Sequence, residues 1–143
     1  MSTQSEAQLE NNLIAQLQAA EFEKVTIENA DALKANLKRQ LELANGLVLT
    51  EREFDSVLIG LEKGNLFDKS KRLKGKIDVV HDDGTISYLT LLFNDPKKNL
   101  FQVTNQVTMQ GKYENRYDVT ILVNGFPLVQ IELKRRGIEM AEA

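Results

Sequence analysis

Apolar positions recur with two different periods along this chain, and the change of period divides it. Leu9, Leu13, Ile14 and Leu17 are spaced by three and four residues, the stripe of an amphipathic helix. Ser5 with Gln8 three residues on reads as a capping box, so a helix is predicted over about Glu6 to Ala20. EKVTI (23–27) is short and β-branched and reads as a strand or an extended link. Leu33, Leu37, Leu41 and Ala44 then mark one face of a second helix from Asn29 to Ala44, with Asn45-Gly46 as its stop. Thr50-Glu-Arg-Glu53 is a second S/T-x-x-E signal, ahead of Phe54, Val57, Leu58 and Leu61. It predicts a third helix of about a dozen residues ending before Gly64.

From Lys69 onward the period moves towards two. KIDVVHD, TISYLTLLFN and FQVTNQVTM are rich in β-branched and aromatic residues, with turns at Asp83-Gly84 and Asn94-Asp95-Pro96. YDVTILV and PLVQIELK flank Asn124-Gly125, the strongest short-range hairpin signal. The pattern therefore predicts an α/β (α+β) domain: N-terminal helices followed by a mostly antiparallel sheet.

Composition narrows the chemistry. With 143 residues and 42% hydrophobic content, the chain suits one domain with its own core. It has no cysteine and one histidine, so thiolate and histidine metal sites are excluded and any metal must be held by oxygens. His81, beside Asp82-Asp83-Gly84, reads as a surface histidine in a turn and not as a general base. No basic-then-apolar leader and no run of ~18 apolar residues is present, which predicts a soluble, cytoplasmic protein without a membrane partner. The net charge of -3 is unevenly spread: residues 1–60 carry 5 basic and 10 acidic side chains, residues 61–143 carry 13 and 11. An anionic partner would meet the second part.

Strand alternation brings out one further feature. Leu128, Gln130, Glu132 and Lys134 share one face of their run, and Val129, Ile131 and Leu133 share the other, which reads as the buried one. A strict two-residue turn would pair Asp118 with Ile131 and aim it at the wrong face. A three-residue loop or one bulge pairs it with Glu132 instead, so an irregularity in the hairpin is predicted. Two carboxylates and an ammonium so placed can hold one or two Mg²⁺ ions and hydrolyse a phosphodiester. On an exposed strand, the same residues would be only a solvated charge pair.

The stretch NRYDVTILVNGFPLVQIELKRRG resembles the nuclease core of the restriction (R, motor) subunit of type I restriction-modification enzymes. SEAQLENNLIAQL, LELANGLVLTEREFDSVL and the run from LFDKSKRLKGK to NLFQVTNQVTM extend the likeness over most of the chain. The resemblance implies a restriction-endonuclease-like mixed β-sheet flanked by helices. It implies a PD-(D/E)-x-K signature formed by Asp118, Glu132 and Lys134, with Tyr117 where the signature has proline. Asp118 and Glu132 would ligate Mg²⁺, the Leu133 carbonyl would add a ligand, and Lys134 would organise the attacking water.

By the same likeness, Glu10 is an accessory residue or else an ordinary surface-helix glutamate, with Glu6 as its competitor; Gln130, on the face of Glu132, either touches DNA or metal-bound water or satisfies a neighbouring strand. Lys69, Lys71, Arg72, Lys74 and Lys76 are five basic residues in eight; with Arg135 and Arg136 they are candidates for DNA phosphates or else a solvated surface. The implied activity is endonucleolytic cleavage of double-stranded DNA, with sequence choice delegated to specificity and methyltransferase subunits. ATP use is implied only through motor domains of the rest of the R subunit, and the chain, read as residues 1–143 of one nuclease domain, stops before the family's Gln-x-x-x-Tyr helix. The alternative is a catalytically inert DNA-binding or docking module.

Overall fold

The computed structural model describes residues 5–62, 76–109 and 115–133. In chain order the elements are α1 (Glu6–Ala19), β1 (Glu23–Lys24), α2 (Ala30–Asn45) and α3 (Glu51–Glu62). There follow β2 (Lys76–Val80), β3 (Ile86–Thr90), a 3-10 turn at Pro96–Lys98, β4 (Phe101–Met109), β5 (Asn115–Val123) and β6 (Phe126–Ile131). Each helix begins where a side chain satisfies its first amides. The Ser5 hydroxyl accepts from the Gln8 amide while the Gln8 side chain accepts from the Ser5 amide, both at 3.1 Å. Asn29 Oδ1 accepts from the Ala32 amide at 2.8 Å, and Thr50 and Glu53 make the same reciprocal pair at the start of α3. Gly46, at φ 65°, closes α2 in the left-handed conformation.

Helices come first and the sheet is mostly antiparallel, an α+β arrangement. Four strands form a mixed sheet in the order β1-β4-β5-β6, in which β1 is parallel to β4 and the other neighbours are antiparallel. Among the described residues the β2 and β3 strands pair only with each other, as a separate two-stranded ladder. The TISYLTLLFN run stops being a strand at Thr90 because side-chain amides take over its backbone groups. Asn45 at the end of α2 donates to the Thr90 carbonyl and accepts from the Thr90 amide, at 2.9 and 2.8 Å. Asn124 then takes the Leu91 carbonyl. A strand whose polar groups are already paired to helix and turn side chains cannot extend the main sheet.

Two apolar clusters hold the layers together. On one sheet face α1 lays Leu13, Ile14 and Leu17 against Val103, Val119, Ile131 and Leu133. The larger cluster joins α2 and α3 to the β2–β3 ladder through Leu37, Leu41, Leu49, Phe54, Val57, Val79, Leu89 and Leu91, with Phe126 of the β6 strand packed against it. Val129 departs from the buried face expected for it and is exposed. β6 is the sheet's edge among the described strands, and of its alternating apolar row the α1 cluster takes up Ile131 and Leu133 alone.

His81 also departs from the surface role expected of it. Its Nδ1 lies 2.8 Å from Glu53 Oε2, and its Nε2 lies 2.6 Å from the Ser87 hydroxyl. A carboxylate only accepts, so the Nδ1–H donates to Glu53, while Nε2 is paired with the Ser87 hydroxyl. The ring therefore ties α3 to both strands of the β2–β3 ladder, a link across 28 residues that the local turn chemistry does not reveal.

Glu53 is buried, and its carboxyl is held below the usual carboxylate value foremost by the Thr50 amide, against the opposing effect of burial, with His81 and the Asp82 amide adding to the lowering. Because the folded value lies below the unfolded one, this contribution to stability is complete above the ordinary value of 4.5 and is lost as pH falls through the folded value. Glu53→Gln should therefore lower the urea midpoint at neutral pH, and the gap to the parent chain should narrow in acid, as pH falls through the folded value. An equal gap at neutral and acid pH would mean that packing, not charge, carries the contribution.

Candidate metal centre on the β5–β6 hairpin

The hairpin turns through Asn124 and Gly125, at φ 52° and 89°, the paired positive values that a two-residue primed turn requires. Val123 pairs with Phe126 and Leu122 with Pro127, but Ile121 then pairs with Val129. Leu128 is the extra residue, and the expected irregularity is thus a β-bulge. Beyond it, Thr120 faces Gln130 and Val119 faces Ile131, so the same register sets Asp118 opposite Glu132. Without the bulge, every side chain of β6 past Pro127 would point to the other face.

Asp118 is half-buried and its Oδ2 accepts a hydrogen bond from the Leu133 amide at 2.7 Å. That contact holds β6 to β5 just past the last ladder pair, where the two strands end their regular pairing. Leu133, expected to offer a carbonyl, is thus tied to the candidate centre through its amide, while its side chain packs against the α1 cluster. Glu132 and Gln130 are exposed. Among the described strands the two carboxylates therefore lie at the sheet's edge, Asp118 anchored and Glu132 facing solvent.

Glu10 sits elsewhere. It is buried on α1 and accepts from Asn105 Nδ2 at 2.9 Å. Asn105 pairs with Val119, so it shares the α1 side of the sheet, opposite to the face that carries Asp118. Glu6 is the first residue of α1. Among the described residues, no three His, Cys, Asp or Glu side chains gather where one ion would touch them all. Lys76 begins β2 and is exposed. Lys134, Lys69, Lys71, Arg72, Lys74, Arg135 and Arg136 lie outside the described residues.

Strand alternation carries two more side chains to the Asp118 face. Thr104 pairs with Thr120, both are buried, and neither hydroxyl has a hydrogen-bond partner among the described residues. An unpaired buried hydroxyl costs about 1–3 kcal/mol, so this pair is an exception to ordinary packing. The signal for it was available, since Thr120 stands two residues from Asp118. Its burial was not, because burial depends on what packs over the strand.

The endonuclease subunit of the type I restriction enzyme SauCOLORF180P of Staphylococcus aureus strain COL is 42% identical over 151 aligned residues, covering 100% of this chain. That of SsaAORF53P of Staphylococcus saprophyticus is also 42% identical, and that of EcoprrI of Escherichia coli is 40% identical over 99% of the chain. The chain spans 16% of the length of each staphylococcal relative and 48% of the Escherichia coli one. Residues 3–143 match the family described as type I restriction enzyme R protein N terminus, and to that family the chain belongs.

Proposed function

We propose that the β5–β6 hairpin carries a Mg²⁺-dependent phosphodiester-hydrolysing centre, and that the chain is the endonuclease part of a type I restriction subunit that cuts double-stranded DNA. The observation that carries this reading is the Leu128 bulge, whose register, extended by one pair beyond Val119 and Ile131, sets Asp118 opposite Glu132 on one sheet face. Two carboxylates at the edge of the described strands suit Mg²⁺, which takes one or two carboxylates and keeps the rest of its shell for water and phosphate oxygens. The unpaired Thr104 and Thr120 hydroxyls on the same face add further oxygen donors to the surroundings. The names of the relatives, all endonuclease subunits of type I restriction enzymes, support the same reaction class.

In this reading Asp118 and Glu132 hold the ion, and the Leu133 amide keeps the Asp118 carboxylate in position. Bound Mg²⁺ supplies Lewis acidity to the phosphodiester and acidity to its water. Lys134, two residues past Glu132, orients the attacking water and offsets negative charge developing at phosphorus. Lys69, Lys71, Arg72, Lys74, Lys76, Arg135 and Arg136 contact DNA phosphates without reading bases. ATP-driven motor domains in the rest of the subunit, and specificity and methyltransferase subunits beside it, supply translocation and site choice in the cytoplasm.

Incubation of the full chain with supercoiled plasmid and Mg²⁺ or Mn²⁺ should yield open circles. EDTA should abolish them, and Glu132→Gln should slow their formation by roughly 10²-fold, the scale of losing one stabiliser of developing charge. DNA retention that is salt-sensitive, survives Glu132→Gln and produces no nicking would instead identify a docking module.

A further inference from the structure

The β4 and β5 strands use their two faces differently. On the α1 side the buried positions next to the threonine pair are Val103 and Val119, each 0% exposed. On the other side Thr104 and Thr120 are each 1% exposed, directly paired, and without a partner for either hydroxyl among the described residues. Valine has the same shape as threonine and is equally at home in a strand. The next residue along that face, Leu122, is apolar and 0% exposed, so the face tolerates apolar side chains. Packing therefore gives no reason for hydroxyls at these two positions. Buried polar groups that packing does not explain tend to stand at functional sites.

Their neighbour on that face is the candidate centre. Asp118 precedes Thr120 by two residues, roughly 7 Å along the backbone of the strand, so the two side chains are neighbours on the same face. We propose that Thr104 and Thr120 are positioning residues of the carboxylate centre, whose hydroxyls hydrogen-bond the water shell of a divalent cation held by Asp118 and Glu132. The inference rests on the nuclease reading and extends it from the two carboxylates to the strand pair behind them. Each hydroxyl both donates and accepts, so the pair can receive from a metal-bound water and pass a hydrogen bond to the Asp118 carboxylate. This fixes the direction in which that carboxylate presents its oxygen.

The test uses the full chain and two readouts, Mn²⁺ affinity by calorimetry and the melting temperature without metal. Thr120→Val and Thr104→Val should keep or raise the melting temperature, because each removes an unpaired buried hydroxyl at constant shape. Each should weaken Mn²⁺ binding about tenfold, the scale found when a group that orients a metal ligand is lost. Thr120→Ser, which keeps the hydroxyl, should bind Mn²⁺ as the parent does. Should the valine variants not fold, Thr120→Ala set beside Thr120→Ser makes the same comparison with no added bulk. Unchanged Mn²⁺ affinity on loss of the hydroxyls overturns the inference and leaves the carboxylate centre standing. Mn²⁺ binding that is absent from the parent, or indifferent to Asp118→Asn, removes the centre and this inference together.

Discussion

Asp118→Asn is expected to leave the fold intact and to weaken Mn²⁺ or Mg²⁺ binding by roughly 10²-fold, at least the upper end of what loss of a ligand-orienting neighbour costs. The asparagine carbonyl oxygen can still accept from the Leu133 amide, the contact that Asp118 Oδ2 now makes at 2.7 Å, so β6 stays tied to β5. What disappears is one of two negative charges facing a divalent ion. Asp118→Ala should bind metal equally poorly but also melt lower, because the Leu133 amide then loses its partner. Calorimetry and thermal melts on the two variants separate these effects. If the asparagine variant binds as the parent does, the cation is not held at this hairpin.

Gly125→Ala should lower the melting temperature by about 10 °C, even though it adds a single methyl group to a turn. Gly125 sits at φ 89°, and a Cβ built there would lie 2.6 Å from Leu37 Cα and 3.3 Å from Leu37 N. These are main-chain atoms of α2, which cannot rotate aside. Left-handed backbone strain adds ~1–2 kcal/mol, and forced overpacking ~1–3 kcal/mol. Together they approach a third of a typical domain's stability and, for a chain of this size, correspond to a shift of that order.

Gly84→Ala is the matched control. It has nearly the same φ, 88°, but nothing within 4 Å of the added Cβ, so only the strain remains and the fall should be a few degrees. Equal shifts in the two variants would show that α2 does not press on the turn. The turn matters for function because it sets where the β6 register begins. Asn124, 0% exposed, fastens it further by donating to the Leu91 carbonyl and accepting from the Leu100 amide.

The sequence by itself determined the local order of the chain. Capping pairs at Ser5–Gln8 and Thr50–Glu53, the Gly46 stop and the Asn124-Gly125 turn are short-range chemistry, and α1, α2, α3 and the β5–β6 hairpin appear where those signals stand. Alternation also required an irregularity if Asp118 was to meet Glu132, because a period of two leaves no other way to change face. Tertiary structure decided the rest. Only packing against side chains distant in sequence ends β3 at Thr90, joins His81 to Glu53, exposes Val129 and places Glu10 against Asn105 on the opposite side of the sheet from Asp118. Those outcomes depend on which polar groups meet across the fold and which surfaces a neighbouring helix reaches. Neither quantity is encoded within a window of a few residues. The two buried threonine hydroxyls belong to both accounts: alternation puts them beside Asp118, and only the assembled sheet leaves them without a partner among the described residues.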